Sequence, residues 1–229
     1  MELRDATLIV TGGASGLGAA VVEAITKEGA NPVVFDRIEP PSGAPHRIVD
    51  LADGSAAEDA VVEVGDRSGG LAAVVACAGT DACGPLGTVP REDWERVIRV
   101  NLLGTAAVVR AALPYLEASH GTVVTVASTL GLRALPDATA YCASKFGIVG
   151  FTRALQAETA GRIGVTLLVP GGMATGFFDT RDEKYRPAPG QMLNRPEDVA
   201  RAVVFALQQP PGCEVRELLI TPSEEPSWP

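Results

Sequence analysis

Apolar residues come along this chain in short, nearly continuous runs, separated by stretches of helical periodicity. The first run, Ala6-Thr7-Leu8-Ile9-Val10, is apolar and β-branched and predicts a buried strand. A stripe at helical spacing follows, formed by Leu17, Ala20, Val21, Ala24 and Ile25, and it ends near Gly29. Similar runs predict strands at residues 32–35, 47–49, 71–76, 121–127, 165–169 and 218–220. Helices are predicted over about 56–64, from 91 to about 118, from 141 to about 160, and over 196–208. Strand and helix therefore alternate, and strands this uniformly apolar belong to a parallel sheet covered on both faces. The expectation is one α/β domain over residues 1–229, with a doubly wound parallel sheet of about seven strands. Ligands bind such sheets outside the carboxyl ends of the strands. One stretch lacks a pattern: residues 176–194 hold five charged residues by Lys184 and prolines at 187 and 189. It is expected to be a lid beside the site.

Composition narrows the picture. The 229 residues are 46% hydrophobic, ample for a core, and carry a formal net charge of −9. That charge argues against a nucleic-acid or anionic-membrane partner. No apolar run approaches the roughly 20 residues of a membrane helix. The start, Met1-Glu2-Leu3-Arg4-Asp5, lacks the apolar stretch of a signal peptide, so a soluble cytoplasmic protein is expected. Cys77, Cys83, Cys142 and Cys213 have neither paired spacing nor nearby histidines, which points to reduced thiols and no metal. Cys142 reads as a buried, inert thiol. His46 and His120 are isolated and receive no role.

The first strand runs into Thr11-Gly12-Gly13-Ala14-Ser15-Gly16-Leu17-Gly18, and a helix follows. Strand, glycine-rich turn and helix in that order make a cradle for a dinucleotide phosphate. Gly12 permits the tight turn, Gly16 lets backbone approach the pyrophosphate, and Gly18 lets the helix pack on the strand. The helix N-terminus adds free N–H groups and a partial positive charge. Asp36 closes the second strand, 20 positions after Gly16. A carboxylate there accepts both hydroxyls of an adenosine ribose and repels a 2′-phosphate. This favours NAD(H). Arg37 keeps NADP(H) possible, since a guanidinium binds phosphate or stacks on adenine.

Tyr141 and Lys145 stand four residues apart in Tyr141-Cys142-Ala143-Ser144-Lys145, one turn apart on one helix face. Ser128 lies 13 positions before the tyrosine. A free phenol has a pKa of about 10 and is a poor base at neutral pH. A positive charge about 4 Å away, at an effective dielectric of about 20, is worth roughly 4 kcal/mol. That is enough to draw the phenol toward neutrality, where it can exchange a proton with an alcohol oxygen.

Together these motifs resemble the short-chain dehydrogenase/reductase family, in its compact single-domain form, over nearly the whole chain. The resemblance implies a Rossmann-like fold and hydride transfer between a nicotinamide cofactor and an alcohol or ketone. It implies a tetrad of Asn101, Ser128, Tyr141 and Lys145. Tyr141 would be the general acid/base, Lys145 would lower its pKa and bind the nicotinamide ribose, and Ser128 would hold the substrate oxygen. Asn101, inside the long helix, would hold a local break and a water next to Lys145. Asp50, with Leu51 beside it, would contact the adenine end. Ala76-Cys77-Ala78-Gly79 matches the turn after the fourth strand, with Cys77 where asparagine is common. Pro170-Gly171-Gly172-Met173-Ala174-Thr175 matches the turn at the nicotinamide end, with Thr175 a hydrogen-bond donor. The substrate pocket would be walled by Thr129, Leu130, Leu135, Gly172, Phe177 and Phe178, which suits an uncharged or partly aromatic small molecule. The family resemblance further implies a homodimer or homotetramer packed through the helices that bear Asn101 and Tyr141. Two other readings stay open: an NADPH-linked β-ketoacyl reductase, which the chain's ending makes less favoured, and a non-enzymatic NAD-binding sensor.

Overall fold

Thr7–Thr11 (β1) enters the protein as a buried strand and feeds the helix Gly16–Lys27 (α1) through the glycine-rich turn. The structure is a computed structural model and describes residues 1–228. Asn31–Asp36 (β2), His46–Ile48 (β3), Gly54–Ser68 (α2) and Ala73–Ala76 (β4) follow. The long helical stretch comes next, as Arg91–Ile98 (α3), a π-helical segment Arg99–Gly104, and Thr105–Ser119 (α4). Thr122–Val126 (β5), Thr139–Glu158 (α5), Gly164–Pro170 (β6), Pro196–Leu207 (α6) and Glu217–Ile220 (β7) complete the order. The seven strands pair in parallel in the order β3-β2-β1-β4-β5-β6-β7. The chain moves outward from β1 to β3, then returns to place β4 on the other side of β1. That reversal opens a crevice at the carboxyl ends of β1 and β4.

Strand residues alternate between two cores. Leu8, Val10, Val34 and Leu168 pack with Val21 and Ile25 of α1 and Val199 and Val203 of α6. Ile9, Phe35, Val74, Val123 and Val165 pack on the opposite face with Val61 of α2 and Val108 and Leu116 of α4. Local signals set the helix ends. Asp53 accepts the Ala56 N–H at 3.0 Å and starts α2, and Gly69 stops it in the left-handed region at φ 71°. Pro196 opens α6 at a position where a missing N–H does no harm, with Glu197 and Asp198 beside it.

The segment Arg91–Ser119 is long and apolar enough to cross a bilayer by length and composition, where the sequence led us to expect no such run. Charges interrupt its apolar residues in sequence, yet they share one continuous helix. Half of its apolar window is buried inside the protein, with Val108 and Leu116 in the core. The π-helical turn puts Gly104 against the Leu51 carbonyl, with no space for a Cβ. Gly104→Ala is therefore expected to push α4 away from the Leu51 turn and destabilise the protein by about 1–3 kcal/mol. A lowered urea midpoint at unchanged m-value checks this.

Candidate active site

A cleft of about 590 Å³ lies along the carboxyl ends of the strands, with the glycine-rich turn at one end. Gly12 sits at φ 68°, and a Cβ there would come within 2.8 Å of the Ala78 backbone. Gly18 packs on the Gly12 carbonyl so closely that no side chain fits between helix and strand. Ser15 caps α1 without a side-chain hydrogen bond, which leaves its hydroxyl and the first N–H groups of the helix facing the cleft. The cradle is thus shaped for backbone-to-phosphate contact. Asp36 stands at the end of β2, its carboxylate accepting the Ala14 N–H at 3.0 Å and the Arg37 N–H at 2.7 Å. The Arg37 side chain is exposed at the cleft edge and makes no ion pair among the described residues. Asp50 is clamped by Arg96 at 2.8 and 3.2 Å and accepts the Ala52 N–H at 3.0 Å. Burial works to raise its pKa, but these donors and Arg37 outweigh it and hold the carboxyl below its usual range. Leu51, Ala78 and Gly79 line the same end, and Thr11 fixes the turn after β4 by accepting the Ala78 N–H at 3.1 Å. Cys77, also in the wall, is a thiol that burial pushes up to about 12. Pro170, Gly171, Met173 and Thr175 line the other end.

Tyr141 and Lys145 occupy the first turns of α5 and share the face toward the cleft. The Lys145 ammonium lies 5.6 Å from the centre of the Tyr141 ring. It is buried and donates to the Val126 carbonyl at 2.8 Å. Burial brings its pKa down to about 8, against a smaller upward pull from Cys77 and Asp81. The Tyr141 phenol departs from the expectation that Lys145 brings it toward neutrality. Burial first, then the Asp81 carboxylate, push it up to about 12, while the Ser128 hydroxyl and the Arg181 charge work the other way. The reason is physical. Lys145 is itself desolvated and directs a donor at a carbonyl, and Asp81 places a negative charge close by. At neutral pH this phenol keeps its proton.

Asn101 does not line the cleft; it sits behind it. Its Oδ1 accepts the Thr80 N–H at 2.8 Å, and its Nδ2 donates to the Thr80 carbonyl at 2.9 Å and to Ser144 Oγ at 3.0 Å. It ties the loop after β4 to α5, from within the π-helical turn that is the helix break expected at this residue. Gly79 lies between the two polar groups: a Cβ on it would be 3.6 Å from Asn101 Oδ1 and 3.7 Å from Lys145 Nζ.

On the substrate side the expected wall residues Thr129, Leu130, Leu135, Gly172, Phe177 and Phe178 all border the cleft. The Phe177 ring centre is 5.7 Å from that of Tyr141. Residues 176–194 fold over this end in short turns. Two anchors hold them down. Arg181 forms a partly buried ion pair with Asp81 and stacks on Phe177 and Phe178 at 5.1 and 4.6 Å. Tyr185 donates its hydroxyl to Asp137 at 2.9 Å. Asp81, Arg181 and Tyr185 escape a reading of the sequence because each sits in a loop or a single short turn and pairs across a long stretch of chain. The only hint is a charge two positions after the Gly79 turn. Cys142 is buried, as its helix position suggests.

Comparison with known proteins gives a consistent picture. The family model described as short chain dehydrogenase matches residues 6–186. A glycine betaine reductase of Emericella nidulans is 32% identical over 98% of this chain, which spans only 19% of that protein. A 3-oxoacyl-[acyl-carrier-protein] reductase of Thermotoga maritima is 30% identical over 90% of this chain and 91% of its own length. Among solved structures, a ligand-free aldohexose dehydrogenase of Thermoplasma acidophilum superposes with a TM-score of 0.87 at 22% identity, over 96% of this chain and 93% of that one. An alcohol dehydrogenase of Thermococcus sibiricus, complexed with 5-hydroxy-NADP, gives 0.83 at 24% identity, over 93% and 95%. At these identities the two structures show a shared fold.

The charges around Tyr141 generate a prediction. Asp81→Asn removes a negative charge that adds to burial in raising the phenol pKa, so Tyr141 is expected to ionise at lower pH than in the parent protein. Phenolate absorbance, with Tyr141→Phe as the subtraction control, measures the shift. The same change takes the charged partner from Arg181 in a partly buried pair and is expected to destabilise the protein by about 1–3 kcal/mol.

Proposed function

The chain belongs to the short chain dehydrogenase family, and from that premise we propose that it interconverts a small alcohol and its ketone or aldehyde using NAD(H), with Tyr141 as the proton-transfer group. Members of this family are oxidoreductases that move a hydride to or from a nicotinamide cofactor. The cradle fits such a cofactor: Gly12 and Gly18 are positions that a Cβ would fill, and the start of α1 has unpartnered N–H groups. Gly12, Ser15, Gly16, Leu17 and Gly18 would hold the pyrophosphate, Asp36 the adenosine ribose, and Asp50 and Leu51 the adenine side. Ala78, Gly79, Lys145 and the Pro170–Thr175 turn would hold the nicotinamide half. The cofactor supplies the hydride chemistry. This chain supplies the proton and the orientation.

The observation that carries the reading is the cluster of Tyr141, Lys145 and Ser128 in one cleft with that cradle. In reduction, Tyr141 donates its proton to the substrate oxygen, a step for which a phenol protonated at neutral pH is prepared. Ser128 donates a hydrogen bond to the same oxygen as charge builds on it. Lys145 holds a positive charge below the phenol and stabilises the phenolate left behind. In oxidation Tyr141 accepts the proton, so that direction gains as pH rises. Asn101 acts at a distance, as a positioning residue for the Thr80 loop and α5. NAD(H) is preferred because Asp36 repels a 2′-phosphate, whereas Arg37 is the feature that favours NADP(H). A second reading, reduction of a 3-oxoacyl thioester, draws support from the likeness to the Thermotoga maritima enzyme. The protein is further proposed to be cytoplasmic and to pair through the π-turn and α5 helices, where Leu103 and Phe146 are exposed apolar side chains.

The test is a screen of purified protein against alcohols, ketones, aldehydes and a 3-oxoacyl thioester, following the nicotinamide absorbance. Turnover of at least one simple carbonyl or alcohol is expected, with kcat/KM for NADH about tenfold above that for NADPH, the discrimination worth about 1.4 kcal/mol. A tenfold preference for NADPH overturns the cofactor assignment. Tight NADH binding without any turnover returns the chain to the class of non-enzymatic binders. Light scattering at micromolar concentration is expected to give the mass of a dimer or tetramer.

A further inference from the structure

After β7 the chain turns back across the carboxyl ends of β5 and β6 and makes a connected set of hydrogen bonds there. Glu225 Oε2 accepts the Gly172 N–H at 2.8 Å. Glu225 Oε1 accepts the Ser227 N–H at 3.0 Å and the Ser227 hydroxyl at 2.6 Å. Ser227 Oγ lies 2.7 Å from Thr129 Oγ1. Because Ser227 gives its proton to Glu225, Thr129 is the donor to Ser227. The chain of bonds therefore runs from Thr129 through Ser227 to Glu225, where the Gly172 N–H meets it. Thr129 directly follows Ser128, and Gly172 lies in the turn that borders the nicotinamide half of the cleft. Gly171 has a neighbour in the same carboxylate: a Cβ there would collide with Glu225. The Glu225 backbone carbonyl accepts the Trp228 N–H at 3.2 Å, which closes the segment on itself. Glu225, Pro226 and Ser227 all line the cleft.

We infer that residues 222–228 form a strap that sets the spacing between the Ser128 turn and the Pro170–Thr175 turn, with Glu225 as its positioning residue and Pro226 and Ser227 as part of the substrate wall. The two turns leave different strands, and apart from the β5–β6 pairing beneath them, Glu225 and Ser227 link them directly. A carboxylate suits the task because it accepts at both oxygens and needs to donate nothing. Two backbone N–H groups and a hydroxyl can then be satisfied by one side chain in a partly buried place. The consequence for catalysis rests on the oxidoreductase reading above. If Ser128 must meet a substrate oxygen while the opposite turn holds the nicotinamide half, their separation is a catalytic dimension, and small misplacements lower rates steeply.

The test compares Glu225→Ala, Glu225→Gln and Ser227→Ala with the parent chain. Amide hydrogen exchange is read in the cofactor-free protein, and NADH affinity is read by titration. Glu225→Ala is expected to speed exchange by about tenfold in both 127–131 and 170–175, with the sheet strands unchanged, since local openings are sampled independently of global unfolding. NADH binding is expected to weaken by roughly fivefold and kcat to fall more than KM rises, as when an interaction of the transition state is lost. Glu225→Gln keeps an oxygen for Gly172 but turns an NH2 toward the Ser227 N–H, which loses its acceptor, so it is expected to restore slow exchange in 170–175 and to leave 127–131 loosened. Ser227→Ala is expected to loosen 127–131 only. Unchanged exchange in both turns of Glu225→Ala overturns the strap, and so does a Glu225→Gln protein as loose as Glu225→Ala in 170–175. If Glu225→Ala does not fold, unchanged exchange at 127–131 in Ser227→Ala overturns it. Exchange and affinity need no turnover. A parent chain that binds NADH but reduces nothing counts against the oxidoreductase reading and not the strap; an active parent with an unaltered Glu225→Ala counts against the strap alone.

Discussion

Lys145 carries a positive charge out of water and into the base of the cleft, where it donates to the Val126 carbonyl. An isolated buried ammonium is expensive, and the drop of its pKa to about 8 is the sign of that expense. The groups around it are arranged to contain the charge. Asp81 draws protons toward both Lys145 and Tyr141, favouring the ammonium and keeping the phenol neutral. Arg181 pairs with Asp81 and so limits that pull. The site is one coupled charge system of four residues, two on α5, one after β4 and one in the segment that folds over the cleft. Moving Arg181 away would expose Asp81 and raise the phenol further. The position of the covering segment and the proton affinity of Tyr141 are thereby linked.

The scaffold makes this arrangement possible by bringing distant turns to one edge. Parallel pairing sends every strand's carboxyl end the same way. The reversal of order at β1 and β4 leaves a gap between the turns that follow them, and the glycine cradle fills one side of it. Close packing of Gly18 on Gly12 and of Gly104 on Leu51 fixes the helices against the sheet at the level of the cleft. Asn101 then locks the Thr80 loop to α5 through Ser144, and the strap from Glu225 to Thr129 locks the opposite side.

Much of this was legible in the sequence, for reasons that can be named. The seven strands show as apolar runs because both faces of the sheet are covered. Their observed ends differ from the expected ones by one or two residues, where Leu71 and Ala72 lie just before β4. The pairing of Tyr141 with Lys145 follows from helical spacing alone. The phenol's proton affinity does not, because spacing says which groups are neighbours and nothing of how far water is excluded or where Asp81 lies. The break at Asn101 is legible only through the family resemblance, because apolar periodicity continues through it. Asp81 with Arg181, and Glu225 with Gly172, pair loop to loop over 100 and 53 residues of chain, and no periodic signal marks such contacts.

The central claim is that Tyr141 passes the proton. Its most direct test is the single-turnover rate of the Tyr141→Phe protein with a substrate found active for the parent chain, measured beside NADH affinity in the same preparation. Loss of the phenolic hydroxyl is predicted to slow the step by about 10²–10⁴-fold, the usual worth of a positioned acid, and to leave NADH affinity nearly as it was. A phenylalanine variant that turns over at the parent rate would contradict the account.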